Sequence, residues 1–200
     1  MQAAIAHLRR SDPVMAQIIK RVGPCELAVL KPNFETLARS ITFQQLHGTA
    51  AATIFGRVQK AVGRSFTASA FLKAEPETLR ACGLSRQKLA SLTDLAERVA
   101  GRQINFKKLR DLQNDAVLEV LTQVRGVGVW TGQIFLMFAL QRPNVLPVGD
   151  FGIRNAVRQA YRLKEMPTPA DLQKIAACWH PYCTVASWYL WRSLDGSAQL

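Results

Sequence analysis

Several features that mark common protein classes are scarce or missing in this sequence of 200 residues. No apolar run approaches the roughly 18 uninterrupted residues that a membrane-spanning helix needs. The first residues, MQAAIAHLRRSDPVM, have neither the long apolar segment nor the small-residue cleavage site of a secretory signal. We therefore expect no membrane contact and no signal peptide.

Cysteine is also scarce, and its positions are scattered. Cys25, Cys82, Cys178 and Cys183 form no C-x-x-C pair, which disfavours a zinc site and a disulfide framework. An iron–sulfur loop needs a full set of closely spaced cysteines, and only two lie near the C-terminus. The pattern is typical of reduced thiols in a cytosolic protein, and we expect no metal or other cofactor.

Positive charge, by contrast, is abundant. The chain has 26 lysines and arginines against 14 acidic residues, a net charge of +12, and a pI near 10.2. Such a balance indicates a polyanionic partner, usually nucleic acid. The alternative is a basic protein without such a partner. Because the basic residues are spread along the chain, the fold itself must assemble any positive surface.

The hydrophobic pattern predicts an all-α fold. Alternating strand patterns bounded by turn residues are absent, and no internal repeat or low-complexity segment is visible. Capping residues and apolar spacing predict helices as follows: after Asp12-Pro13, over 34–62 with a break near His47-Gly48, from Pro76, over 86–100 behind Ser85, over 115–124 behind Asn114, and over 130–140, 151–163, 170–179 and 184–194.

The stretch LTQVRGVGVW, residues 121–130, joins two of these helices through a short link, Arg125-Gly126-Val127-Gly128. Glycine permits positive φ and close backbone approach. The second helix begins with unbonded N–H groups and the positive end of its dipole, which together bind phosphate. The alternative is an ordinary helical hairpin with a glycine cap, which accounts for one glycine better than for two. The local pattern favours phosphate binding.

The segment VRGVGVWTGQIFL resembles the helix-hairpin-helix element of DNA repair glycosylases (the HhH-GPD superfamily), with Arg125 where proline is common. Downstream, VLPVGDFGIRNAV brings Asp150 to the place of that family's catalytic aspartate. SITFQQLHGTAAATIFGRV is similar to the region that supplies a DNA wedge. GLSRQK and WHPYCTVASWYLW resemble the AlkA/Mag-type DNA-3-methyladenine glycosylases. The resemblance covers about residues 12–192, with departures at Gly149 and Cys183.

The resemblance implies a monofunctional glycosylase that removes alkylated purines from double-stranded DNA. Asp150 would stabilise the positive charge that develops on the sugar as the glycosidic bond breaks, although its local role could be only to cap a helix. Trp130 occupies the place where bifunctional members have a lysine. It would contact the flipped base, or it would only pack in the hairpin.

The implied site residues form three groups. Gln44, Gln45, Leu46 and His47 would enter the duplex, although Leu46 could equally belong to the core of a helix corner. Arg125, Gly126, Gly128, Thr131 and Lys88 would contact DNA. Phe43, Trp130 and Trp179 would line the base pocket.

The resemblance further implies two helical lobes with a DNA-binding cleft between them. Residues 1–33 and 151–200 would form one lobe, and 34–150 the other, with the hairpin at about 114–140. We expect a monomer located in the cytoplasm, at the nucleoid of a prokaryote, or in the nucleus of a eukaryote. A non-catalytic DNA-binding module and a glycosylase for other lesions stay open as alternatives.

Overall fold

The structure is a computed structural model that describes residues 1–46 and 48–195. Within these ranges all regular elements are helical and no strand occurs, which confirms the all-α prediction. Short 3₁₀ turns lie at Lys108–Arg110 and Ala176–Trp179. The α-helices are α1 (Gln2–Ser11), α2 (Pro13–Val22), α3 (Phe34–Phe43), α4 (Gly48–Val62), α5 (Ala68–Lys73), α6 (Pro76–Ala81), α7 (Arg86–Ala100), α8 (Asn114–Thr122), α9 (Val129–Phe138), α10 (Phe151–Ala160), α11 (Pro169–Ile175) and α12 (Cys183–Asp195).

Six of the twelve α-helices in the described ranges begin with a capping side chain. Asp12 accepts hydrogen bonds from the first-turn N–H groups of α2, and Ser85 accepts one from the Lys88 N–H of α7. Thr168 and Asp171 form a reciprocal capping box at α11. Asn114 is an exception, because it is the first residue of α8 and the cap position belongs to Gln113.

Two helices, α1 and α5, are not predicted by the sequence pattern. The N-cap of α1, Met1, makes no side-chain hydrogen bond, and α1 has no acidic residue in its first turn. Helix α5 has only six residues, too few for a helical apolar period to be recognised. Both are stabilised mainly by tertiary packing, since isolated short helices are marginal in water.

The chain divides into two compact units, which we call the terminal unit (residues 1–29 and 141–200) and the central unit (residues 30–140). These units divide at residues 29 and 140, whereas the sequence predicts boundaries near 33 and 150. The difference at the second boundary matters because Asp150 lies in the terminal unit and not in the unit that contains the hairpin. The expected cleft between lobes stays a prediction.

In the terminal unit, α12 packs against α2 and α10, and α1 packs against α2. The large side chains Leu8, Met15, Ile19 and Tyr189 are fully buried. The Tyr189 hydroxyl donates to the Gly23 carbonyl at 3.0 Å, which satisfies the polar end of a buried ring.

In the central unit, α7 packs against α3 and α5, and α8 packs against α9. Phe34, Phe55, Phe66 and Phe71 form a ring cluster with centroids 5.3 to 6.4 Å apart. The Leu30 N–H donates to the Phe138 carbonyl and closes this unit. In the part of the chain that the structure describes, no helix is long and apolar enough to cross a membrane.

Candidate functional site

The end of α3 is tied to the hairpin by one side chain. Gln44 is the C-cap of α3, and its amide nitrogen donates to the Gly126 carbonyl at 3.0 Å and to the Thr131 hydroxyl at 3.1 Å. The structure thus brings the predicted wedge segment and the predicted phosphate-binding loop together. It also engages Thr131, which is 4% exposed. The Thr131 hydroxyl is thus occupied by Gln44, and the predicted contact of Thr131 with DNA stays a prediction.

Lys88 also supports this segment from beneath. Its ammonium group donates to the Thr42 carbonyl at 2.6 Å and to the Gln44 carbonyl at 2.8 Å. Desolvation by burial lowers the pKa of the Lys88 ammonium group. The two carbonyls are among those that a helix C-terminus leaves without intrahelical partners. Lys88 therefore caps α3 and holds Gln44 in place, and its predicted contact with DNA stays a prediction.

A pocket of about 550 Å³ opens beside Gln44 within the central unit. Its volume falls in the range of sites that take small molecules. Trp130 is 47% exposed, and the guanidinium of Arg39 lies 3.9 Å from the ring centroid of Phe43. Two of the three predicted base-pocket residues therefore share one cavity. The lining residues are Arg39, Ser40, Phe43, Gln44, Gln45, Gly126, Trp130, Thr131 and Ile134.

The predicted wedge residues emerge at this pocket. Gln45 is exposed and has a φ of 56°, a left-handed conformation that is unusual outside glycine. Leu46 is 40% exposed, which argues against the alternative that it belongs to the core. His47 lies outside the described residues.

The hairpin link is a tight turn in which the two glycines have different roles. The Val127 N–H donates to the Val124 carbonyl at 3.0 Å, and Gly126 has a φ of +75°. A Cβ added at Gly126 would lie 2.6 Å from the Ser91 hydroxyl oxygen. Gly128, with a φ of −94°, is the N-cap of α9, and an added Cβ there would meet no atom within 4 Å. Only Gly126 is required by the turn itself.

Helices α8 and α9 approach closely just after this turn. A Cβ added at Gly132 would lie 2.6 Å from a Leu118 methyl group, so the absence of a side chain there brings the two helices together. The first turn of α9 contains no acidic residue, and its cap supplies no side-chain acceptor. Such a helix start keeps the positive end of the dipole uncompensated by charge of its own.

In the terminal unit, Asp150 is the N-cap of α10 and is 9% exposed. Its Oδ1 atom accepts a hydrogen bond from the Ile153 N–H at 2.7 Å and one from the Trp191 indole N–H at 2.9 Å. A Cβ added at Gly152 would lie 3.1 Å from this oxygen and 3.2 Å from the Trp191 ring. Capping and the indole donor together fix the carboxylate, so the cap role and a catalytic role are compatible.

Trp179, the third residue predicted for the base pocket, has no exposed surface. Its indole N–H donates to Asp12 Oδ2 at 2.7 Å, and the Tyr161 hydroxyl donates to the same oxygen. Burial raises the pKa of Asp12, but hydrogen bonds from Trp179, Tyr161, Met15 and Val14 lower it, with a net decrease. Trp179 therefore belongs to a buried polar cluster of the terminal unit, and its assignment to the pocket is wrong.

The sequence pattern did not lead to Arg39 or to the role of Trp191. Arg39 could have been found, because it lies four residues before Phe43 on a predicted helix and so shares its face. Trp191 is one of the aromatic residues that the sequence offers for the pocket or the core, but its contact with Asp150 joins positions 41 residues apart and could not be predicted. In the described ranges, no group of three or more His, Cys, Asp or Glu side chains is placed to hold a metal ion.

The comparison with protein families settles the relationship. The family model for the HhH-GPD superfamily base excision DNA repair protein matches residues 38–181, which include the Gln44 segment, the hairpin and Asp150. The chain belongs to the HhH-GPD superfamily. The hairpin and the capping residue Asp150 both lie within the region that the family shares, and the resemblance inferred from the sequence is confirmed.

Curated relatives and solved structures of the superfamily are similar to this protein over nearly the whole chain. DNA-3-methyladenine glycosylase 1 of Schizosaccharomyces pombe is 35% identical over 94% of this chain and 85% of its own length. The structure of S. pombe 3-methyladenine DNA glycosylase in complex with abasic DNA has a TM-score of 0.85 and 34% identity, covering 96% of this chain and 97% of that one. The DNA-3-methyladenine glycosidase of Bacillus halodurans has a TM-score of 0.88 and 32% identity, covering 98% and 91%.

The two departures from the HhH-GPD pattern noted in the sequence have different surroundings. Cys183 is completely buried, and burial raises the pKa of its thiol to about 12. It is therefore a packing residue with a thiol that stays protonated. At Gly149, an added Cβ would meet no atom within 4 Å, so the glycine next to Asp150 is not imposed by local crowding.

Proposed function

We propose that this chain is a monofunctional DNA glycosylase that hydrolyses the N-glycosidic bond of alkylated purines in duplex DNA during base excision repair. Its relatives and a solved neighbour are named for 3-methyladenine DNA glycosylase activity. Candidate substrates are 3-methyladenine, 7-methylguanine and ethenoadenine. The enzyme would act where the genome is, at a nucleoid or in a nucleus, as a monomer without a cofactor.

The observation that carries this proposal is the fixed carboxylate of Asp150. Breaking an N-glycosidic bond builds positive charge on the deoxyribose, as in other glycoside hydrolyses. A carboxylate already oriented by the Ile153 and Trp191 donors needs no reorganisation when that charge develops. A purine methylated at N3 or N7 carries positive charge in the nucleotide and leaves readily, so little acid catalysis is needed for 3-methyladenine and 7-methylguanine.

The pocket of the central unit supports recognition of such a base. Trp130 and Phe43 are aromatic lining residues, and a cationic base is attracted to an aromatic face by about 0.5–2 kcal/mol. Trp130 offers no amine for a Schiff base, so strand cleavage by that route is not expected. Because Trp130 is half-exposed, one part of its ring can pack in the hairpin while the other part contacts a base.

Binding of the duplex would rest on the hairpin and on the net charge of +12. Main-chain N–H groups at the start of α9 suit phosphate oxygens and carry no sequence information. The exposed residues Gln45 and Leu46 would fill the space that a flipped base leaves.

The test is release of bases from methylated duplex DNA, followed by chromatography. Asp150→Asn should abolish release while binding to DNA stays near wild type, because the amide keeps its size and can still cap α10. Asp171→Asn is the matched control, since it removes a charge from the first turn of another helix of the same unit. Unchanged release by Asp150→Asn would remove Asp150 from the mechanism, and a wild-type protein that binds DNA without releasing bases would favour the binding module.

A further inference from the structure

One main-chain N–H group of the hairpin turn is held by a residue far away in the sequence. The turn closes through the Val127 N–H and the Val124 carbonyl, which leaves the Arg125 N–H directed away from the turn's own hydrogen bond. That group donates to Asp94 Oδ2 at 2.8 Å. Asp94 lies on α7, so a helix outside the hairpin holds Arg125, the second residue of the turn.

Asp94 is itself held in place. Both of its carboxylate oxygens accept from the Arg98 Nε, at 3.0 and 3.1 Å, and both side chains are 27% exposed. Three residues before Asp94 on the same face of α7, Ser91 lies against the point where Gly126 has no side chain. Helix α7 therefore meets the turn at Arg125, through the hydrogen bond to Asp94, and at Gly126, through the close approach of Ser91.

We infer that Asp94 is a positioning residue for DNA binding: it sets the conformation of the hairpin turn by accepting the Arg125 N–H. The inference rests on the proposed function, in which this hairpin binds phosphate. The charge of Asp94 and its contact with the turn affect DNA affinity in opposite directions. A carboxylate beside a phosphate-binding loop lowers DNA affinity by its charge, whereas a carboxylate that orders the loop raises DNA affinity.

The two effects are separated by a pair of alanine variants on α7. Asp94→Ala removes a charge and the acceptor for Arg125. Glu97→Ala removes the same charge three residues further along α7, beside the same surface groove that Arg125 lines. Among the residues that the structure describes, no hydrogen bond or ion pair joins the Glu97 side chain to the hairpin. Affinity for an undamaged duplex is measured by fluorescence anisotropy at one salt concentration.

We expect Asp94→Ala to bind DNA about tenfold more weakly, equivalent to about 1.4 kcal/mol, and Glu97→Ala to bind as tightly as wild type or more tightly. Base release in a single turnover at saturating DNA should keep its wild-type rate in both. Asp94→Asn keeps an acceptor oxygen for the Arg125 N–H, so we expect near wild-type affinity for it. If Asp94→Ala does not fold, Asp94→Leu takes its place in every comparison, since it also removes the charge and the acceptor but keeps a side chain of similar length.

Rescue by proline gives a readout that a general loss of stability would not reproduce. Proline is favoured at the second position of a turn whose third residue has positive φ, and it has no N–H that needs an acceptor. In the Arg125→Pro background, Asp94→Ala should therefore cost no affinity. Comparing variants within that background cancels the loss of the arginine charge.

Asp94→Ala binding as tightly as wild type, or losing as much affinity in the Arg125→Pro background, would overturn the inference. Amide hydrogen exchange at Arg125, followed by NMR without DNA, should become faster in Asp94→Ala. That measurement tests the positioning even if the wild-type protein neither binds DNA nor releases bases, an outcome that would refute the proposed function instead.

Discussion

Alanine substitution should affect the stability of the protein differently at the two glycines of the hairpin. Gly126 has a φ of +75°, and its added Cβ would lie 2.6 Å from the Ser91 hydroxyl oxygen. Left-handed backbone in a non-glycine residue costs about 1–3 kcal/mol. A loss of about 2 kcal/mol lowers Tm by roughly 4–8 °C in a chain of this size. Gly128 has a φ of −94° and open space, so alanine is not strained there. Its lower entropy in the unfolded chain stabilises the protein and its poorer fit at an N-cap destabilises it, so we expect a net change of less than about 1 kcal/mol.

Thermal unfolding followed by circular dichroism measures both variants under identical conditions. Ser91→Ala combined with Gly126→Ala removes the close hydroxyl and leaves the backbone strain, so it should recover only part of the lost stability. DNA affinity is then measured on variants that are folded. If Gly128→Ala binds weakly although it is stable, its open space is used by the phosphate backbone; normal binding and excision would reduce that glycine to a simple cap. Equal destabilisation by the two alanines would refute the reasoning from the backbone angles.

The remaining predictions concern donors, charge and the chemical route. Trp191→Phe keeps a ring but loses the donor to Asp150, and we expect base release to slow about tenfold, the effect of about 1.4 kcal/mol, with DNA affinity unchanged in the same binding assay. Lys88→Met should destabilise the end of α3 and weaken DNA binding, because two carbonyls lose their donor; unchanged Tm and affinity would contradict this. The pKa of Asp12 is lowered below its ordinary value of 3.8, so the stability it contributes is complete above that pH and is lost as the pH falls through the lower value. Acid titration of Tm should show this loss, and Asp12→Asn, which leaves buried donors unmatched, should lose about 3 kcal/mol at pH 7. Borohydride should trap no protein–DNA adduct, since Trp130 provides no amine; a trapped adduct would identify another nucleophile.

Local sequence was sufficient for the hairpin and for the α-helices other than α1 and α5. Caps such as Asp12 and Ser85 act within three residues, so their role is visible in the sequence alone. The link between α8 and α9 is equally local, because a short connection rich in glycine leaves few backbone choices. Asp150 was found through resemblance, since its pattern alone is that of any helix cap.

The tertiary structure decided which side chains are available for binding. Trp179 and Trp130 are both tryptophans beside helix ends, yet one has no exposed surface and the other is 47% exposed. Lys88 lies in GLSRQK, a segment for which the resemblance implied a contact with DNA, and its ammonium group caps α3. Burial depends on which helices pack together, and periodicity within one helix contains no information about its neighbour.

The same limit explains the contacts that carry the proposals. Trp191 reaches Asp150 across 41 residues, and Asp94 reaches Arg125 across 31. Each is a hydrogen bond of about 3 Å, which only the folded chain can bring within range. The sequence by itself determined an all-helical member of a DNA repair superfamily with a glycine hairpin and a capping aspartate. The packing of α7 and α12 decided which donors and acceptors hold those two features in place, because hydrogen bonds depend on distance in space and not on separation along the chain.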